Sequence, residues 1–297
     1  MNNKKGNAEP NIPTFSDALV DECKNSGDFR PILFEWYKFV GIFCNQISCI
    51  SPDSLAFQKI QSVHFAVLIG LLNRCSRLML ANTRLSSTGK YGETTRILDR
   101  SISESAIKVQ WLCHQDNIDS FTSYLADGLK KDLLLQEKIL QNVQNRDGDI
   151  LAIEQRMLDS IKNCINLSGL SEQDVKIAKK FPDFATICND LKLVDVFYTS
   201  IQRMGSHAVH GTWSDLVFNY LEQENQWFYP RDHEIDTKDA QYIIIIHLVI
   251  DAMEAFLRYV ISDVPERNEI ITTLHEVHEK MIEIQDLACY SDFSVKS

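Results

Sequence analysis

Three observations predict an all-α protein built as a single helical bundle. The 297-residue chain holds only 11 glycines and 7 prolines, together roughly half their usual share. Its apolar residues, 44% of the total, recur at three- and four-residue spacing, the period of a helix face. No convincing strand and no repeat of fixed period is present, and the turn signals every ~8–12 residues that sandwiches and propellers need are missing. A chain of this length allows one large domain or two small ones, with ample core either way.

Residues 1–13 are polar, carry Pro10 and Pro13, and are expected to form a disordered tail. A short helix over 14–26 ends at Ser26-Gly27. A second, over 30–50, carries Ile32, Leu33, Trp36, Phe39, Val40 and Phe43 on one face. Ser51-Pro52-Asp53 reads as the cap of a long helix over 54–85. A loop over 86–92 leads to a helix from Glu93 to His114. Helices over 118–145 and 150–167 are separated by Asp147-Gly148-Asp149. Short helices follow over 171–180 and 183–190, then a long one over 193–222. Residues 225–236 form a Trp/Tyr/Pro loop, and the last helices span 237–262 and 266–287, broken at Pro265. The expected organisation is one helical domain over 14–290, with 118–192 as a helical insertion.

Composition excludes several function classes. A formal charge of −11 argues against coating nucleic acid by counterion release, which needs a basic face. It leaves room for a small, locally basic cleft. Anionic membrane surfaces are disfavoured for the same reason. The most apolar run, Ile243 to Ile250, is interrupted by His247 and closed by Asp251, short of the ~20 residues of a membrane span. Eight cysteines without a CxxC pair, behind a polar N-terminus without a secretory signal, read as reduced thiols of a soluble cytoplasmic protein.

Several motifs fail. Ser87-Thr88-Gly89-Lys90 resembles the end of a phosphate loop, but the upstream glycine and preceding strand are missing. His275 and His278 in His-Glu-Val-His-Glu are three apart, close enough to share a metal, yet read better as a surface pair on a charged helix. No nucleophile elbow, kinase set or dinucleotide fingerprint occurs. No cofactor and no metal is expected.

What remains is a pair of polar stripes. In the 193–222 helix, Arg203 and His210 are seven residues apart, two turns, and so within about 20° of one another. Ser206 and His207 lie between them on the same face. In the 93–114 helix, Glu93, Arg96, Arg100 and Glu104 fall at spacings of 3, 4 and 4. Ile97, Ile102, Ala106, Val109 and Leu112 are assigned to the opposite, apolar side.

Tyr198, Arg203, Ser206, His210 and Gly211 make a Y…R-x-x-S-x-x-x-H-G pattern, and Leu98 to Glu104 reads L-D-R-S-I-S-E. Both segments resemble a poorly characterised bacterial helical family that is similar to HEPN domains. Many HEPN domains are metal-independent ribonucleases of toxin and phage-defence systems, marked by R-x(4–6)-H. An Arg and a His at a permitted offset arise by chance about once in a chain of this kind, so the likeness rests on the Tyr/Ser/Gly context and the companion helix. It covers roughly 60–260, and it departs from the pattern at Met204 and at the second histidine, His207.

The resemblance implies a HEPN-like core with additional N-terminal, inserted and C-terminal helices. It implies a homodimer with the cleft at its two-fold interface, RNA as substrate, and control by a regulatory protein. His210 would serve as acid or base, since its pKa range suits proton transfer near neutrality. Arg203 would grip the phosphate through its planar fork, and Ser206 would orient one of them. Arg96, Arg100, Glu104, Tyr198 and His207 would line or brace the cleft. The alternative is a non-catalytic binding or sensor module, with Arg100, Glu104, Arg203 and His210 as a polar network fixing helix register.

Overall fold

The computed structural model describes residues 12–54, 56–193 and 204–294. The helices are α1 (Asp17–Ser26), α2 (Arg30–Ile47), α3 (Ser62–Leu85), α4 (Gly92–Gln115), α5 (Ile118–Gln144) and α6 (Ala152–Ser168). They continue as α7 (Glu172–Ile177), α8 (Phe184–Asp190), α9 (Met204–His210), α10 (Trp213–Asp215), α11 (Asp239–Val260) and α12 (Pro265–Ser294). Of the tail expected over 1–13, residues 1–11 lie outside the described residues.

Local chemistry sets most helix ends. The Ser16 hydroxyl accepts from the Leu19 amide at 3.3 Å, and Gly27 closes α1 at φ +70°, a conformation glycine adopts without cost. Pro31 sits in the first turn of α2, where its missing N–H goes unmissed. The side chains of Asn117 and Asp183 accept from the amides of Ser120 and Thr186, starting α5 and α8.

Helices α2, α3, α4 and α11 form the central bundle. Helix α11 is buried on nearly every side, with Ile246, Leu248, Val249, Ile250, Met253, Phe256 and Leu257 at 0% exposure. A helix apolar all round belongs in a core, which is where the Ile243–Ile250 run lies. Helix α3 is long and apolar enough to cross a membrane. Its Phe65, Leu68, Leu72 and Met79 instead belong to the main core, packed between α2 and α4. A second, smaller core of Ala126, Leu129, Leu133, Ile161, Ile165 and Val175 joins α5, α6 and α7, within the segment expected to be an insertion.

Three expectations are corrected. The helix expected from residue 54 begins at Ser62. The preceding segment is tied to the end of α11: the Gln58 amide donates to Val260 O at 2.8 Å, the Ser262 amide donates to Ala56 O at 2.8 Å, and Phe57 bridges Ile261. That pairing takes the backbone of 56–58 out of the helix.

The helix expected to run to 222 stops at His210, because Gly211 takes φ +54°. The short α10 and a π turn over Leu216–Tyr220 follow. The segment expected as a loop holds an antiparallel hairpin, β1 (Leu221–Glu224) and β2 (Trp227–Pro230), turned at Asn225 with φ +57°. Asparagine is among the residues that tolerate that conformation best.

Candidate functional site

Helix α4 is the platform. One flank packs on α3 and α11, and another receives α9, so the two polar stripes do meet in part. Between them opens a cleft of about 610 Å³ lined by Arg96, His207, Ser214, Asp215, Phe218, Asn219, Ile235 and Lys238. Two full cations and a histidine face one carboxylate there, a basic spot on an acidic chain. Asp215 is buried and accepts from the Asn219 amide at 2.7 Å. Arg96 reaches the Asn219 carbonyl oxygen through Nη1 at 3.4 Å, while its buried Nε has no partner among the described residues. His207 meets the Thr212 hydroxyl at 2.7 Å through Nδ1.

The other expected residues are distributed as follows. Ser206 is half-buried and His210 exposed on α9. Arg100 and Glu104 pair along α4 at 3.0 Å. Tyr198 and Arg203 lie outside the described residues. Glu93, expected on the polar stripe, is buried at 6% exposure, where its Oε2 accepts from the Ile235 amide at 3.1 Å. The polypeptide over 235–237 covers that end of α4. Ile97, assigned to the apolar side, is 37% exposed.

Ser214, Asp215, Phe218, Asn219 and Lys238 line the cleft without having been read from the sequence. All follow the break at Gly211 or the hairpin, so one continuous helix would have placed them elsewhere.

Behind the cleft, α4 carries a buried polar network that sequence spacing also missed. Asp99, 9% exposed, accepts from the Asn82 amide at 2.8 Å and the Gln241 amide at 3.0 Å. Asn82 also donates to the Tyr37 hydroxyl at 3.0 Å, and Gln241 to the Thr95 hydroxyl at 2.9 Å. Burial pushes the Asp99 carboxyl up to about 7, against the pull of its two amide donors and of Arg96. This network links α2, α3, α4 and α11 and fixes their register.

One rejected motif is accounted for. Lys90 pairs with Asp236 at 2.6 Å, and Arg30 joins them at 3.3 Å, so the 87–90 turn clamps the 235–237 segment. The Lys90 ammonium beside it holds the Asp236 carboxyl below the usual carboxylate range. The described cysteines are all free, and burial raises the Cys75 thiol to about 12 and the Cys188 thiol to about 11. Such thiols are inert.

Close to the cleft, Trp213, Phe218, Trp227, Phe228 and Tyr229 are 42–73% exposed, and Trp213 meets Phe228 edge-on at 5.4 Å. Glu222, Asp232 and His233 gather their donor atoms within 4.8 Å beside the hairpin. Arg231 lies 3.6 Å from Glu222, and His233 bonds Asp232 at 2.9 Å, so neighbouring side chains already engage this exposed group.

Fold and cleft define a helical protein with a cleft beside α4 that carries Arg96, His207 and Lys238, and with a hairpin nearby in the chain. Residues 65–227, more than half of the chain, match a family of unknown function (DUF5677), and the chain belongs to that family. No curated protein matches the sequence, and no solved structure does.

Proposed function

We propose that the chain is a metal-independent, HEPN-like ribonuclease, a cytoplasmic effector of a bacterial defence or stress system. One observation carries this reading: Arg96, with a buried guanidinium N–H left unpartnered, shares a cleft with His207 on the helix that also presents Ser206 and His210. A cation with a spare donor beside an imidazole suits a phosphodiester, because cleavage needs charge stabilisation on phosphate and proton transfer at the 2′- and 5′-oxygens.

His210 moves the proton, Arg203 and Arg96 hold the phosphate, and Ser206 orients them. Lys238 adds positive potential, and the exposed aromatic side chains near the cleft suit the stacking of unpaired bases. A homodimer would bring a second copy of the motif to the cleft, and a regulatory protein would restrain it. The non-catalytic reading draws on the Arg100–Glu104 pair. It is the weaker one, since Tyr37, Asn82, Asp99 and Gln241 already supply a register-fixing network and leave His210 exposed.

The test is expression of the wild type beside His210→Ala and Arg203→Ala, with total RNA and growth followed. The purified proteins are then assayed on labelled single-stranded RNA in EDTA. Loss of a positioned acid–base group is expected to slow cleavage by at least ~100-fold. RNA breakdown undiminished in both variants, or an intact RNA pool under the wild type, refutes the proposal.

A further inference from the structure

A second cavity, of about 690 Å³, shares no residue with the polar cleft and is lined by α3, α4, α5, α6 and Phe181. It lies where the two cores meet: Leu71 and Phe181 belong to the main one and Leu129 to the smaller. Val67, Leu125 and Leu167 add to its apolar wall. The volume falls in the range of small-ligand sites, ~300–1,000 Å³.

Two glycines line this cavity, Gly70 within α3 and Gly128 within α5. Glycine disfavours a helix interior, so each calls for a reason in packing or backbone. Gly41 of α2 has one, because a Cβ there would stand 3.2 Å from the Met79 Cβ. Gly70 and Gly128 do not: a Cβ at either would meet nothing within 4 Å, and neither takes a positive φ. What their missing side chains preserve is open space in the cavity.

The charges there are divided by helix. Arg74 and Lys108 come from α3 and α4, Asp127 and Asp132 from α5. Lys131 engages Asp127 at 3.3 Å. Arg74 and Lys108 have no ion-pair or hydrogen-bond partner among the described residues. Two cations therefore stand against Asp132, and the balance of the lining is positive.

We propose that this cavity binds a single-chain carboxylate amphiphile, its acyl chain lying past Gly70 and Gly128 and its head met by Arg74 and Lys108. Apolar walls favour burial of the chain, and both cations donate to a carboxylate. The site is independent of any RNA chemistry in the polar cleft.

The full chain is titrated with 11-(dansylamino)undecanoate, read by its fluorescence, and the probe is displaced by octanoate, decanoate and laurate below their micelle concentrations. One saturable site is expected, with affinity rising about fourfold per methylene. Gly70→Leu and Gly128→Leu fill the open space and are each expected to weaken laurate by at least ~10-fold, with the Tm held or raised, since Leu favours helix over Gly. Arg74→Ala combined with Lys108→Ala, neither of them buried, is expected to weaken laurate by ~10-fold and to leave dodecanol unchanged. That variant keeps the test readable if a glycine variant fails to fold. No saturable binding by the wild type, laurate binding undiminished in both glycine variants, or a double variant that still prefers laurate to dodecanol overturns the assignment.

Discussion

Replacing Asp99 by Asn tests the buried network in a way that packing alone cannot imitate. The carboxyl is pushed to about 7 in the folded protein from an ordinary value of 3.8. Between those values the native state holds a proton that the unfolded chain has released, so stability falls as pH rises. The stabilisation tied to the neutral acid is complete below about pH 4 and is lost as pH climbs through about 7. A displacement of roughly three units corresponds to about 4 kcal/mol.

Asparagine keeps the shape and cannot ionise. It also sets one amide N–H₂ against the donors of Asn82 or Gln241, at a cost of ~1–3 kcal/mol that does not depend on pH. Urea unfolding of both proteins from pH 4.5 to 8.5 gives two stability profiles. Their difference cancels the groups common to both, His247 included. The variant is expected to be the less stable at pH 4.5 and to gain about 3 kcal/mol on the wild type by pH 8.5. A difference profile flat to within ~1 kcal/mol would show that Asp99 enters the core ionised, its charge borne by the two amides and Arg96.

Two further outcomes rest on packing. A Cβ at Gly92 would strike the Asp236 carbonyl oxygen and lie 2.8 Å from its carbon, where the Gly92 amide also donates to Ile235 O. Gly92→Ala is therefore expected to cost about 1–3 kcal/mol, read as a fall in Tm. Trp111 donates from Nε1 to Asp190 at 2.9 Å and meets Phe181 edge-on, joining α4 to α8. Trp111→Phe is expected to cost about 1 kcal/mol in urea unfolding through loss of that hydrogen bond, the exposed Asp190 carboxylate being taken up by water.

The helices were legible because their signals are local. Apolar spacing and caps place α2, α5 and α8 within a few residues of their observed ends. What escaped depends on partners far along the chain. Ser51-Pro52-Asp53 carries the marks of a helix start, yet 56–58 pairs with backbone some 200 residues away, and no local pattern announces that.

Leu221–Glu224 and Trp227–Pro230 flank Asn225-Gln226, a hairpin signal that the apparent continuity of the long helix obscured. Gly211 follows the stripe directly, and its left-handed backbone, which spacing alone does not reveal, ends the helix there. Of the cleft, Arg96 and His207 were readable from spacing. Lys238, Asp215 and Asn219 were not, because they reach it only after the chain has turned at Gly211 and again at Asn225.

The coupling of Ala56 and Gln58 to Val260 and Ser262 bears on how the chain is made. On the ribosome, α2 and α3 emerge long before α11, the helix that fills their core. The early helices must wait for about 200 further residues, and non-local closure of this kind slows folding while leaving apolar faces open to other chains. It also separates kinship from foldability: the 65–227 segment that defines the family omits α2 and α11, half of the central bundle. That segment, expressed alone, is expected to aggregate, while a fragment spanning α2 through α11 is expected to fold.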